Sequence, residues 1–204
     1  MTKIYWIGGS PCSGKSTIAE ILSEKYGLYY FKVDDYLEKY INYGTLSNLE
    51  ICTKQSKMNA EETWMREAAL QCKEELQFYE EIFDFILQDL KAICDGKDIL
   101  TEGAAYLPIL MNKRNIPWNR YLSITPTKDF QINHYIQREW IYSVLDGCSD
   151  VQKAFENWMD RDCLFAEEVI KQCVENKYLS FVNNGQIDIK DLVKLVSVHF
   201  GLEV

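Results

Sequence analysis

A glycine-rich loop at residues 9–16 constrains the fold of this chain more than any other feature. It reads G-S-P-C-S-G-K-S, and an apolar run at residues 4–7 precedes it. The segment that follows places Ile18, Ile21 and Leu22 on a helical period, so that they share one face. Glycine enters left-handed backbone conformations at no steric cost, which allows a sharp passage between two elements. The sequence therefore predicts a buried strand, a tight loop and an amphipathic helix, in that order.

The loop matches the G-x-x-x-x-G-K-[ST] pattern of a phosphate-binding loop without a mismatch. In such a loop, successive backbone N–H groups and the positive end of the following helix face phosphate oxygens. We expect Lys15 to reach the β- and γ-phosphates, the Ser16 hydroxyl to ligate Mg²⁺, and Thr17 to lie near the α-phosphate. Cys12 is interpreted as an inert thiol. The pattern predicts ATP and Mg²⁺ as cofactors, and the nucleotide-binding set is Gly9, Ser10, Pro11, Cys12, Ser13, Gly14, Lys15, Ser16 and Thr17.

Short apolar runs alternate with helical patterns along the rest of the chain. Strands are predicted at residues 4–7, 28–33, 99–101, 120–124 and 179–182. The last of these precedes a helix that ends near Phe200, with Gly201 at the expected C-cap. Strands interleaved with helices indicate a parallel sheet in an α/β fold. Because no linker, repeat or low-complexity segment interrupts the chain, residues 1–204 are predicted to form a single domain.

Helical periodicity dominates the segment between the second and third predicted strands. Neither glycine nor proline occurs between Gly44 and Gly96. Asn59 followed by Glu62 has the spacing of a capping box. One long helix or two in succession are therefore predicted over about residues 60–94.

Two further helices are predicted before the last strand. Thr125-Pro126 resembles a cap residue followed by a first-turn proline, which predicts a helix over about residues 126–145. Ser149 and Gln152 have capping-box spacing and predict a second helix over about residues 150–175.

Carboxylates follow two of the predicted strands. Asp34 and Asp35 come directly after the second strand, at the end where ligands bind in open α/β sheets. Either residue can accept a proton from an attacking hydroxyl or orient it, and either can instead cap the next helix. Glu102 follows the third strand, where an acid commonly holds Mg²⁺ or its water shell. Glu102 is a candidate metal ligand, base or substrate contact, and these alternatives stay open.

The charge balance excludes some classes of partner. Acidic residues outnumber basic residues 31 to 22, which gives a net charge of −9. Binding to duplex nucleic acid requires clustered Lys and Arg, so this balance argues against a polynucleotide partner. No apolar run approaches the roughly 18 residues of a membrane-spanning helix, and no membrane partner is predicted. The residues interpreted as structural or core rather than as ligands are His134, His199, Phe130, Tyr135, Trp140, Phe155 and Trp158.

The cysteine pattern indicates free thiols. The chain has 7 cysteines, an odd number, and no two of them form a Cys-x-x-Cys pair. A zinc site or a disulfide framework has no supporting spacing, and a reducing compartment is the simplest interpretation. Because the amino-terminal run lacks a cleavage pattern, a cytoplasmic location is expected.

Residues 9–17, Asp34-Asp35 and the apolar-apolar-x-Glu-Gly run at residues 99–103 together resemble one family. They are similar to the small P-loop kinases of the nucleoside/nucleotide-kinase-like group, within the P-loop NTPase superfamily. The resemblance implies a three-layer fold with a five-stranded parallel sheet, a helical insert and a helical lid. It places a substrate-binding helical arm at about residues 44–96 and the lid at about residues 126–175.

The resemblance also assigns roles to residues outside the phosphate loop. It places the loop at residues 182–185 near adenine, and Asn184 is assigned to nucleotide binding there. It implies a lid arginine, because a cation near the transferring phosphoryl group stabilises its charge. Arg138 and Arg161 flank the predicted break in the lid and are the candidate catalytic arginines. Arg114 is a candidate for binding an anionic substrate.

These residues favour ATP-dependent phosphotransfer to a hydroxyl group of a small molecule, with a nucleoside among the candidates. Lys15 and a lid arginine would stabilise charge while Asp34 or Asp35 positions the acceptor hydroxyl. A nucleotide-switched interaction protein or regulatory ATPase is the alternative, and a toxin-like nucleotide-sugar kinase is another. A GTPase is disfavoured because residues 112–115 depart from the Asn-Lys-x-Asp pattern. The acceptor and the oligomeric state stay open.

Overall fold

The computed structural model describes residues 2–93 and 96–202, and its strands form one parallel sheet. The strand order is β2-β3-β1-β4-β5, so that β1 lies at the centre. The five strands found in the described residues are β1 (Ile4–Gly8), β2 (Tyr29–Lys32), β3 (Ile99–Glu102), β4 (Tyr121–Pro126) and β5 (Leu179–Asn183). This sheet confirms the predicted five-stranded parallel α/β fold.

Helices cover both faces of the sheet and make the fold three-layered. The helices are α1 (Lys15–Tyr26), α2 (Leu37–Leu46), α3 (Glu50–Gln55), α4 (Ala60–Trp64), α5 (Ala68–Ala92), α6 (Pro108–Lys113), α7 (Lys128–Tyr135), α8 (Trp140–Val144), α9 (Val151–Asn176) and α10 (Ile189–Phe200). Helices α1 and α10 pack against one face, where Tyr5 and Ile7 of β1 are buried. Helices α5 and α9 pack against the other face, where Trp6 is buried. Strands β3 and β4 are buried along their whole length, as a parallel sheet with two covered faces requires.

The strand register brings three carboxyl ends together at one edge of the sheet. Ile7 of β1 pairs with Glu102 of β3, and Gly8 of β1 pairs with Ser123 of β4. The phosphate loop therefore leaves β1 beside the end of β3 and crosses the end of β4.

The segment predicted as one helix or two over residues 60–94 forms two, α4 and α5. Asn59 caps α4 by accepting from the Glu62 N–H, and the Glu62 carboxylate accepts from the Asn59 N–H. The capping box is thereby confirmed. Residue 94, the predicted end of the helical segment, lies outside the described residues. The assignment of about residues 44–96 as a substrate arm within a single domain stays a prediction.

The predicted helix over residues 126–145 is wrong in its start and its continuity. Thr125 and Pro126 belong to β4, because they pair with β5 instead of starting a helix. Helix α7 then ends at Tyr135, and a turn containing Arg138 separates it from α8. The turn lets Tyr135 and Trp140 both pack around the ring of Trp158 in α9, which outweighs helical continuity.

The capping box predicted at Ser149 and Gln152 is also wrong. Asp150 caps α9 by accepting from the Lys153 N–H at 2.9 Å. Ser149 instead donates its backbone N–H and its hydroxyl to the two carboxylate oxygens of Glu61, at 2.7 and 2.8 Å. This contact joins α4 to the start of α9, so a long-range partner replaces the local one.

The thiol and membrane expectations have separate outcomes. Six cysteines are free thiols: Cys12, Cys52, Cys72, Cys148, Cys163 and Cys173. Cys94, predicted to be a further free thiol, lies outside the described residues. Among the helices of residues 2–93 and 96–202, none is both long and apolar enough to cross a bilayer.

Glu81 of α5 provides a test of how the arm holds together. Its carboxylate accepts the backbone N–H groups of Ile51 and Cys52 at 2.9–3.0 Å, which satisfies the first turn of α3. Glu81→Ala removes both acceptors and should lower the free energy of unfolding by about 1–2 kcal/mol. Urea denaturation measures the change, and the exposed neighbour variant Glu80→Ala is the control. Equal stability of the two variants would contradict this role for Glu81.

Candidate functional site

Gly9 allows the phosphate loop to pass close against β4, where a residue with a side chain would collide with the strand. Gly9 has φ +119°, and a Cβ atom there would lie 1.9 Å from the backbone oxygen of Ile124. Gly14 has φ +89° and directly precedes α1. Both positions demand backbone geometry that side chains disfavour, so the glycine spacing of the motif is explained by the path of the loop.

The amino terminus of α1 is prepared for an anion. Within the described first turn of this helix there is no acidic residue, and Gly14 offers no side-chain cap. The first N–H groups of a helix have no intrahelical partner, and the helix dipole is positive there. Lys15 is buried, with 7% of its surface exposed, and donates to the Ser10 carbonyl at 2.8 Å. A concentrated positive potential therefore faces the loop.

A cavity of about 390 Å³, called here the phosphate cavity, opens over this loop. Residues 12–17 form its floor, and Arg138, Asn183 and Gly185 line its sides. Arg138 enters from the turn between α7 and α8, with its guanidinium 5.3 Å from the Tyr135 ring centroid. Within the described part of the chain, no carboxylate forms an ion pair with Arg138. The cavity therefore contains two cations, Lys15 and Arg138, that are available to an anionic ligand.

Two aromatic rings line the phosphate cavity, although the sequence predicts both residues to be structural or core residues rather than ligands. Phe130 and His134 of α7 are stacked, with ring centroids 3.9 Å apart and an interplanar angle of 29°. The His134 Nδ1 atom lies 2.7 Å from the Phe130 carbonyl oxygen. Gly185 approaches the Phe130 ring so closely that a Cβ atom would lie 3.0 Å away. The available signal was an i,i+4 pair of rings directly after a strand end, at the ligand-binding edge of the sheet.

In the loop after β5, the residue that lines the phosphate cavity is Asn183. Its amide nitrogen donates to the Ser13 carbonyl at 3.0 Å, and its Oδ1 accepts from the Gly185 N–H. Asn184, the predicted contact, instead bonds through its side chain to Gln186. The strand continues one residue further than predicted, so that Asn183 rather than Asn184 lines the phosphate cavity.

Glu102 lies at the end of β3 with 1% of its surface exposed. Its Oε1 accepts from the Ser16 hydroxyl and from the Tyr30 phenol, both at 3.0 Å. Burial, and then the Glu102 charge, raises the pKa of Tyr30 above its usual value, so the phenol stays protonated and donates. The second carboxylate oxygen, Oε2, is buried without a hydrogen-bond partner among the described residues.

The Ser16–Glu102 pair has the chemistry of a magnesium site. Mg²⁺ prefers oxygen ligands and usually keeps several waters, so few protein ligands are needed when phosphates complete the shell. The unpartnered Oε2 of Glu102 and the adjacent hydroxyl fit that requirement. In residues 2–93 and 96–202, no group of three or more His, Cys, Asp or Glu residues is placed to hold a metal ion. A magnesium ion at Ser16 and Glu102 would therefore need phosphate and water ligands as well.

Asp34 and Asp35 lie in a short 3₁₀ turn after β2 and have different surroundings. Asp34 remains accessible to solvent, yet the protein atoms packed around it raise its pKa above the usual value, and Lys15 opposes the shift. Asp35 is 65% exposed and faces Lys32 at 3.9 Å. The charge of Asp34 thus interacts with that of Lys15 in the phosphate loop.

A second cavity of about 310 Å³, called here the acceptor cavity, lies between α2, α5 and α9. Burial raises the pKa of Glu75 in its lining, and the charge of Asp34 contributes in the same direction. The charge of Lys15 opposes the rise in the pKa of Asp34. Asp34 is thus within electrostatic range of both cavities.

Arg161, the second candidate lid arginine, lies in the wall of the acceptor cavity. Its guanidinium contacts Glu75 of α5 at 2.5 Å and Asp162 at 2.6 Å, and it lies 5.1 Å from the Trp64 ring centroid. Although burial opposes it, the two carboxylates raise the pKa of Arg161 above its usual value. The structure therefore gives Arg161 a packing role between α5 and α9, away from the phosphate loop.

Arg114 lines neither cavity. It forms an ion pair with Asp84 on the surface, where both side chains are largely exposed, and it lies 6.0 Å from the Phe83 ring centroid. Its predicted role in binding an anionic substrate stays a prediction.

Comparisons with known proteins give matches among solved structures only. No family model and no curated protein matches the chain. Shikimate kinase from Bacteroides thetaiotaomicron is 13% identical, with 96% of this chain and 97% of that chain covered and a TM-score of 0.48. Shikimate kinase from Acinetobacter baumannii, in complex with shikimate, is 15% identical, with 100% and 96% covered and a TM-score of 0.45. Shikimate kinase from Aquifex aeolicus is 16% identical, with 97% and 96% covered and a TM-score of 0.41.

The two arginines should respond differently to loss of charge. Arg161→Met leaves Glu75 and Asp162 buried without their cation and should lower the free energy of unfolding by about 3–5 kcal/mol. Arg138→Met removes no ion pair and should change it by no more than about 0.5 kcal/mol. Urea denaturation of both variants measures the contrast. Wild-type stability in Arg161→Met would exclude the packing role.

Proposed function

We propose that this protein transfers the terminal phosphoryl group of ATP to a hydroxyl group of a small molecule, with Mg²⁺ as cofactor. The observation that carries the proposal is the phosphate loop itself, in which the buried Lys15 follows Gly14 and the Ser16 hydroxyl donates to the buried Glu102 carboxylate at 3.0 Å. Phosphoryl transfer requires a donor site, an adjacent acceptor site, and a group near the acceptor hydroxyl that handles its proton. The two cavities and Asp34 supply these three parts.

On the donor side, the chain would hold the nucleotide through groups already in position. The loop N–H groups, the α1 amino terminus and Lys15 would bind the phosphates. Ser16 and Glu102 would hold Mg²⁺, directly or through its waters, and the bound ion neutralises charge on the β- and γ-phosphate oxygens. The stacked rings of Phe130 and His134 supply an aromatic surface for the base.

On the acceptor side, Asp34 would accept the hydroxyl proton. The acceptor oxygen forms a bond to the γ-phosphorus, the bond to the β-phosphate oxygen breaks, and ADP leaves with that electron pair. The released proton passes to the Asp34 carboxylate, which a raised pKa favours. Arg138, which has no carboxylate partner in the described residues, would stabilise charge on the transferring group from the α7–α8 turn.

Loss of the loop lysine tests the donor side. Lys15→Ala removes the buried cation beside the phosphates and should lower acceptor-dependent ADP formation by about 10²–10³-fold or more. Steady-state ADP release against a panel of nucleosides, sugars and amino alcohols is the measurement, and Lys194→Ala on the exposed face of α10 is the charge-matched control. Full activity in Lys15→Ala would rule the mechanism out. ADP release at the full rate without any acceptor would indicate a regulatory ATPase instead.

The pH dependence tests Asp34. A general base acts when deprotonated, so a raised pKa makes activity fall, as pH decreases, at a pH above the ordinary Asp value of 3.8. Asp34→Asn should lower kcat by about 10²–10⁴-fold and remove this acidic limb from the pH–kcat profile. Asp35→Asn is the comparison, because its side chain is exposed and paired with Lys32. A larger loss from Asp35→Asn than from Asp34→Asn would reverse the two roles.

A further inference from the structure

The acceptor cavity contains two arginines, but neither offers an uncompensated positive charge. The Arg66 Nη1 atom lies 2.5 Å from Oε2 of Glu74, and the other oxygen of Glu74 lies 2.6 Å from Lys54 Nζ. Glu74 is only 12% exposed, so this ion pair is largely shielded from solvent. An entering anion would have to displace Glu74 and leave that carboxylate without partners.

Arg161 is more firmly compensated than Arg66. It contacts Glu75 and Asp162, and Asp162 also accepts from the Gln131 amide and the Tyr135 hydroxyl, both at 3.2 Å. Asp162 is 1% exposed, so separation of the pair would leave a buried charge unpaired, which is strongly unfavourable. Arg161 is therefore not available to bind a ligand anion.

The charges around the acceptor cavity consequently favour neutral or positive ligands. The cations Lys54, Arg66 and Arg161 are matched by the carboxylates Glu74, Glu75 and Asp162.

The cavity wall also contains a buried hydrogen-bond acceptor that lacks a donor. Gln71 is 4% exposed, and its Nε2 donates to the carbonyls of Trp64 and Arg66 at 3.3 and 2.8 Å. These two bonds fix the orientation of the amide, so its Oε1 must act as the acceptor. Oε1 has no partner in the described part of the chain. A hydroxyl or an ammonium group of a ligand supplies the missing donor, whereas a carboxylate does not.

We propose that the acceptor cavity selects an uncharged or ammonium-bearing alcohol and rejects alcohols that carry a carboxylate. The apolar side chains of Leu37 and Phe78 in its lining would pack against the carbon skeleton of that ligand. Only the name acceptor rests on the proposed kinase function; the charge selectivity rests on the cavity itself.

Three cyclohexanol derivatives that carry an ammonium, a hydroxyl or a carboxylate group on the neighbouring ring carbon test the selectivity. The probes are 2-aminocyclohexanol, cyclohexane-1,2-diol and 2-hydroxycyclohexanecarboxylate, titrated calorimetrically into the full chain without nucleotide. The ammonium and neutral probes should each bind at least about tenfold more tightly than the hydroxy acid. Tighter or equal binding of the hydroxy acid, or no measurable binding of any probe, would overturn the proposal.

A charge-altering variant gives an independent test of the same cavity. Glu74→Gln releases Arg66 and Lys54 from their shared carboxylate, and it should shift the affinity ratio toward the hydroxy acid by about tenfold. Glu80→Gln removes the same charge from the exposed face of α5 and should leave the ratio unchanged. Thermal unfolding checks that both variants are folded. The ranking of the three probes on the wild-type protein does not depend on either variant. An unchanged ratio in folded Glu74→Gln would contradict the compensation of Arg66.

A second arm with ATP and Mg²⁺ separates this proposal from the proposed kinase activity. Binding in the expected order without acceptor-dependent ADP release would contradict the kinase activity and support the charge selectivity. ADP release stimulated by the hydroxy acid, and not by the other two probes, would support the kinase activity and overturn the charge selectivity.

Discussion

The central position of β1 is the constraint on which the site depends. Because β1 pairs with β3 on one side and β4 on the other, the loop that leaves it must pass over both neighbouring strand ends. The register opposes Ile7 to Glu102, which brings the carboxylate within hydrogen-bond reach of Ser16 at the start of α1. The close passage over β4 leaves room only for glycine at position 9. The motif and the candidate metal pair are thus consequences of one strand order.

The ion pairs of Arg161 link the packing of the arm to the chemistry of the site. Burying the carboxylates of Glu75 and Asp162 is costly. Arg161 compensates for it, because its guanidinium bridges Glu75 of α5 to Asp162 of α9 and packs against Trp64. This network forms part of the acceptor cavity wall, and the charge of Asp162 also reaches Lys15. The arrangement fixes the distance between the helices that form the cavity, so its shape is set by buried electrostatics as well as by apolar packing.

Local pattern was sufficient where a residue acts through its own backbone or its neighbours in sequence. The phosphate loop, the five strands and the capping box at Asn59 were all predictable for that reason. Prediction failed where contacts with distant elements determine the local structure. Thr125 and Pro126 stay in a strand because they pair with β5, and Ser149 does not cap α9 because its hydroxyl donates to Glu61. Which cavity Phe130, Asn183 and Arg161 line likewise depends on which elements the fold brings together, and spacing along the chain does not encode that.

The two cavities differ in whether their cations are paired with carboxylates, even though the whole protein is acidic. Around the phosphate loop, Lys15 and Arg138 have no carboxylate in an ion pair within the described residues, and the α1 amino terminus adds its dipole. Around the acceptor cavity every arginine is already paired. An anion that entered the second cavity would have to break ion pairs that are largely shielded from water, and no such cost applies at the phosphate loop. The net charge of −9 therefore does not describe the charge inside either cavity, where the pairing of individual cations with carboxylates decides it.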